Sequence, residues 1–260
     1  MAKRSKSAPL SQPAPQVQDF RSLLAQALDQ KDSLGRKWGG ARWGCYAFYD
    51  YDREPIYVGQ TNERLSTRVR RHLTNQRSDA VAMRILDVFE VAEMELWPLW
   101  EYEGLSQKTS AKSELEAAKA RLNSVEYSAY LRAINRSRFH AILNEQIPPV
   151  SPVIELPPSQ RFALISEETR KERGHLDIRL ARRTETLARL SAVAHERGEV
   201  SIGLRRVMVV QAVRVAHLAA ARLAAVEGRG APPASLIDIS ALVGTVLQEH
   251  QEEFPDEEAD

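Results

Sequence analysis

Two tyrosines, an arginine, a histidine and a glutamate are the side chains of this sequence whose types and spacing could do chemistry. Tyr46 comes two residues after Gly44 and Tyr57 two residues before Gly59, each in a short aromatic run. Arg68 and His72 stand four apart, one turn of a helix. Glu126 lies in Val125-Glu126-Tyr127-Ser128-Ala129-Tyr130-Leu131, and Asn144 follows Ile142-Leu143. Two phenols, a guanidinium, an imidazole and a carboxylate suit cleavage of a phosphodiester. The guanidinium stabilises charge developing on phosphate oxygens. The carboxylate can hold a divalent cation through oxygen. A phenol or an imidazole can move a proton. Taken singly, each residue has a plainer explanation: strands favour tyrosine for packing, and a lone helical arginine is ordinarily a solvated surface residue. The functional reading rests on the set.

The elements that must position these groups follow from the pattern. Gly44-Cys45-Tyr46-Ala47-Phe48-Tyr49 and Pro55-Ile56-Tyr57-Val58 read as a hairpin closed by Asp50-Tyr51-Asp52-Arg53-Glu54. Asn62 is placed to cap a helix in which Leu65, Val69, His72 and Leu73 share a face. A weaker helical piece spans 78–86, and alternation over 89–99 predicts a third strand. A polar loop over 104–112 precedes a long helix over 113–134. Upstream, 1–18 reads as a disordered basic tail. Residues 19–41 read as a helix capped by Asp19, then a glycine-rich loop. Prolines over 148–160 mark a linker or a strap over the surface. The region 161–250 reads as helical: charged over 167–197, apolar nearly all round over 204–226, amphipathic over 235–247. Residues 251–260 form an acidic tail.

Composition narrows the class. In 260 residues, 43% are hydrophobic and 27% charged, as expected of a globular chain with its own core. One cysteine, Cys45, excludes an intrachain disulfide and a cysteine-rich zinc module. Its place inside a strand points to packing, since no activating groups surround it. Trp43, Trp97 and Trp100 likewise read as core. The run 204–226 is interrupted by Arg205, Arg206, Arg214, His217 and Arg222, against a membrane span. No apolar signal core follows the N-terminus, so the expected location is cytoplasmic. Net charge is only +1, but residues 1–78 carry 14 Lys/Arg against 7 Asp/Glu. A basic front half points to a polyanionic partner.

Gly44-Cys45-Tyr46, Tyr57-Val58-Gly59-Gln60-Thr61 and Arg68-x-x-x-His72 together resemble the GIY-YIG nuclease superfamily. The resemblance covers about 42–147 and is most specific over 44–72. It implies an α+β fold, with a three-stranded antiparallel sheet flanked by helices, joined here to an all-α C-terminal region. It implies Tyr46 as general base on the attacking water, Tyr57 in support, Arg68 on the phosphate and His72 in proton transfer. It implies Glu126 as the ligand of Mg²⁺ (or Mn²⁺), and Asn144 as the residue that closes the domain. Glu116 is the rival to Glu126, and Asn135 to Asn144, because the gap from Glu126 to Asn144 is long for the family. Cys45 and Val58 replace the isoleucines of the two motifs and should point to the core. Arg70 and Arg71 are expected to contact DNA.

Branches of the superfamily differ outside this domain. A single cysteine excludes the zinc module of its junction resolvases, and no DNA-binding repeats of the homing type are evident. The expectation is therefore a metal-dependent DNA endonuclease of the restriction or anti-phage defence branch. The competing reading is an inactive nucleic-acid-binding protein whose helical half docks a partner. Apolar helices with no catalytic set make the C-terminal half a candidate docking module or homodimer interface.

Overall fold

The computed structural model describes residues 13–74, 85–106, 109–244 and 246. Helix α1 (Pro15–Asp29) leads to a 3-10 turn at Trp38–Gly40 and the hairpin β1 (Gly44–Tyr49) and β2 (Pro55–Thr61). Helix α2 (Leu65–Leu73), strand β3 (Glu93–Pro98) and the long helix α3 (Lys112–Arg136) follow. Strand β4 (Gln160–Ala163) precedes α4 (Glu167–Arg173), α5 (Leu176–Arg197), α6 (Ile202–Val226) and the short α7 (Ile239–Val243).

All strands pair antiparallel in the order β2-β1-β3-β4. The fold is α+β as expected, but the sheet has four strands instead of three. The fourth begins inside the proline-rich segment and pairs Phe162 with Met94. Only Phe162 of Gln-Arg-Phe-Ala is buried, so there was no alternation to find. The chain before it is a strap: Ile154 N–H donates to Ser128 Oγ at 3.0 Å, and Ile154 and Leu156 pack along α3.

The sheet divides two cores. On one face Tyr46 and Phe48 meet α1, through Phe20, Leu24 and Leu28, and α2, through Leu65, Val69 and Leu73. On the other, Cys45, Ala47, Tyr49, Val58 and Trp97 meet α3, through Leu122, Val125 and Ala129. Cys45 and Val58 thus point to the core as the pattern requires. Trp43 and Trp97 are buried with them, and half-buried Trp100 lies under the Arg36 guanidinium. Burying one such large apolar side chain is worth about 1.5–3 kcal/mol, so this alternation fixes the register.

Several boundaries differ from the sequence reading. Helix α1 starts at Pro15, so Asp19 lies inside it, and Ala14 occupies the cap position. Proline at a first helical position lacks only an N–H that would be unpaired there. Helix α2 starts after Arg64, and its Leu65 N–H is satisfied by the Ala41 carbonyl; Asn62 is exposed and caps nothing. The expected strand over 89–99 is preceded by a 3-10 turn at Val88–Glu90. The charged helix over 167–197 breaks at Gly174 and His175 into α4 and α5. The last amphipathic helix is a 3-10 turn at Ala234–Leu236 and the five residues of α7, which Gly244 ends at φ 68°. Most of the helical piece over 78–86, the first twelve residues and the acidic tail lie outside the described residues.

Helix α6 is long and apolar enough to cross a membrane by length and composition. Here it packs along α5 and buries Leu204, Val207, Val210, Val213 and Leu218 in the core. Arg214, in its middle, is buried against Asp50 of the hairpin turn.

Candidate active site

Strand β2 is an edge strand, which lets groups from both faces of the sheet meet beside it. Register sets Tyr46 opposite Gly59. A Cβ at residue 59 would stand 2.8 Å from Tyr46 Oη and 2.9 Å from a ring carbon of Tyr57. Only glycine therefore admits both rings. The Tyr46 and Tyr57 ring centroids are 6.2 Å apart, and His72 lies 5.7 Å from the first and 5.1 Å from the second. Helix α2 brings Arg68 over this aromatic group, and its Nε donates to Tyr46 Oη at 3.3 Å.

Tyr46 is 0% exposed. Burial raises its pKa, while Arg68 and a hydrogen bond from Tyr57 pull it back down. Tyr57 is pushed well up by burial, and then by the charge and hydrogen bond of Tyr46. Tyr46 Oη is thus an acceptor for two donors, and Tyr46 is the more readily ionised of the two phenols. A cleft of about 550 Å³ opens beside them, lined by Tyr57, Arg68, His72, Glu126 and Asn144. Tyr57 forms its wall, and Tyr46 stands behind.

Glu126 comes from the opposite face of the sheet, on α3. Its carboxylate accepts the Gln60 N–H, and burial raises its pKa to about 7 against a smaller opposing pull from Arg68. Glu116 is exposed and pairs with Lys112 at 3.8 Å, away from the cleft. Asn144 is buried and clamps the free edge of β2: Val58 N–H donates to Oδ1 at 3.0 Å, and Nδ2 donates to the Val58 carbonyl at 2.8 Å. Asn135 is exposed at the end of α3. Asn144, whose two amide groups are committed to Val58, is a positioning residue and carries no proton. Arg70 is exposed, and Arg71 is held in an ion pair with Glu63.

Sequence reasoning quoted Gln60 but gave it no role. Its side chain bonds Asn123 at 3.0 Å, so its backbone and side chain both tie β2 to α3 beside Glu126. It also missed the stretch 145–149, which forms the far wall of the cleft. Nothing in that run of Glu, Gln, Ile and two prolines signals a site.

Among the described residues, no three His, Cys, Asp or Glu side chains converge as a metal cage. The donor set is a single carboxylate, and it suits a hard divalent cation that keeps several waters and takes phosphate oxygens as further ligands. A cation there would also relieve the cost of burying Glu126 ionised. The residues present therefore fit such an ion.

No curated protein and no solved structure matched the chain. Residues 42–124 match the family model of the GIY-YIG catalytic domain. The match takes in the hairpin, Arg68 and His72 and ends just short of Glu126, which the folded chain supplies to the same cleft. Residues 42–124 of this chain are thus a GIY-YIG catalytic domain, the domain of a family of endonucleases generally dependent on divalent metals.

Proposed function

We propose that this cleft hydrolyses phosphodiester bonds in DNA with Mg²⁺ (or Mn²⁺) bound at Glu126. The observation that carries the reading is the convergence of Tyr57, Arg68, His72 and Glu126 on one cleft from two faces of the sheet. A bound cation would supply charge to the phosphate and acidify coordinated water. Arg68 stabilises the phosphate oxygens as charge develops. Tyr46, fixed by Arg68 and the more readily ionised phenol, is the general base, and Tyr57, on the wall and donating to Tyr46, relays the proton of the attacking water to it. His72, against both rings, exchanges that proton with solvent. Arg70 contributes phosphate affinity, and Arg71 does so in competition with Glu63.

A restriction or anti-phage role is the branch that the single cysteine, too few for a cysteine-rich zinc module, leaves in favour. A double-strand cut needs two such sites. Ile202, Leu223 and Val226, left exposed on α6, would be the surface of a homodimer. Light scattering at micromolar concentration, with and without DNA, tests it, and a monomer in both conditions rejects it. The function itself is tested by incubating the chain with plasmid, phage and single-stranded DNA, with and without each cation, and mapping the ends. Binding without cleavage under every cation would make it the non-catalytic binding protein instead.

A further inference from the structure

The turn that joins the two tyrosine-bearing strands is built around a buried carboxylate. Asp50 directly follows β1 and is 1% exposed. Its Oδ1 accepts the N–H of Asp52 at 2.9 Å and of Glu54 at 3.1 Å, which shapes the turn. Its Oδ2 accepts from Arg179 at 3.3 Å and from Arg183 and Arg214 at 2.8 Å each. These arginines lie on α5 and α6, far outside the matched domain. Arg179 also pairs with Asp52 at 2.9 Å, and Arg183 with Glu90 at 2.8 Å.

Such a network is a poor route to stability. Desolvating buried ions offsets most of their attraction, and apolar replacements of similar volume often match them. Arg214 illustrates this: its Nε and Nη1 have no protein partner, and burial draws its pKa down to about 10. What the network does fix is geometry. The pairing of β1 with β2 shifts register between Phe48 and Tyr49, immediately before Asp50. A slip of one residue there would turn Tyr57 to the other face of the sheet. The way the turn closes therefore decides whether Tyr57 reaches the cleft and whether Gly59 stands opposite Tyr46.

We propose that Asp50, Arg179, Arg183 and Arg214 are positioning residues through which the C-terminal helices set the register of the catalytic hairpin. The inference rests on the nuclease reading of the cleft for its kinetic arm only. The test compares Arg214→Met and Arg214→Lys with the wild type, all as full chains. The methionine variant is expected to melt near the wild-type temperature. Its kcat should fall about 10- to 100-fold, as for a small misplacement of reacting groups, with KM and DNA affinity within about two-fold. Lysine, which keeps a cation and most of the stem, should recover part of the loss. Independently of cleavage, amide exchange at Tyr57 and Gly59 should quicken in the methionine variant and not in the middle of α3. If that variant fails to fold, the lysine variant is read against the wild type by the same measures. A folded variant with wild-type kcat and wild-type exchange overturns the proposal. If the wild type cleaves no DNA, the nuclease reading fails and exchange alone decides: faster at the hairpin upholds the clamp, unchanged rejects it.

Discussion

Tyr46 and Tyr57 differ by one contact with solvent, and that difference divides their work. Tyr57→Phe removes the hydroxyl on the cleft wall, and Tyr46→Phe removes the acceptor behind it. Both keep the packed rings, so both should fold and bind DNA normally. Each should lose about 10²–10⁴-fold in turnover, the range for a missing proton-transfer group. Single-turnover cleavage at saturating enzyme measures this, and wild-type turnover in either variant removes that phenol from the mechanism. Arg68→Ala should lower kcat more than affinity, whereas Arg70→Ala should weaken binding and flatten its salt dependence. Like behaviour of the two would mean a general basic patch.

Glu126 gives a prediction with a sign. Its carboxyl titrates near 7 in the folded chain against an ordinary value of 4.5. Between those values the folded state holds a proton that the unfolded chain has released, so stability falls as pH rises from about 4.5 to 7. Above 7 both states are ionised and the cost of burial is fully present. Glu126→Gln should therefore abolish cleavage while raising the melting temperature at pH 8, with little change at pH 4. Mg²⁺ should stabilise the wild type more at pH 8 than at pH 5. Glu116→Gln, at an exposed position, should leave melting and cleavage alone. Melting curves at the three pH values decide it, and equal behaviour of the two glutamates would place the metal elsewhere.

At the scale of elements, the site depends on β2 being an edge strand with its outer side held. Gly59→Ala would drive a methyl group against Tyr46 Oη, and the rings must part to admit it. Loss of cleavage should exceed loss of stability, as shown by activity measured beside a melting curve. Asn144→Ala leaves the Val58 N–H and C=O without their partner and should cost about 1–3 kcal/mol in denaturant unfolding. No loss of stability would show that the edge is held by Leu143 N–H on the Ile56 carbonyl alone.

The hairpin and α2 were legible because their signals are local: glycine and tyrosine at fixed spacing, then an apolar face one turn apart. Glu126 was legible for a related reason, standing in an apolar run on a long helix. Asn144 could not be given its role from sequence, because that role is a pairing with Val58 86 residues earlier. Strand β4 offered one large apolar residue in four and borrows its identity from β3. Arg179 and Arg183 stand in a run legible only as a charged helix. Their burial follows from Asp50, which looked like an ordinary turn residue.

Over the whole molecule, the C-terminal helices pack onto the GIY-YIG domain. Phe139, Leu204, Val207 and Val210 share one core with Tyr46, Phe48 and α2. The family match ends at residue 124, so more than half of the chain lies outside it, yet its arginines reach the turn of the matched hairpin.

Arg214 lies 164 residues after the carboxylate it grips. On a ribosome adding about 5–20 residues per second, Asp50 emerges roughly 10–30 s before its last partner is made. Through that interval the strands can pair and the aromatic rings can cluster, but the turn between them lacks the last of its three arginines. The hairpin turn is thus completed only once the helices that follow the matched domain have been made.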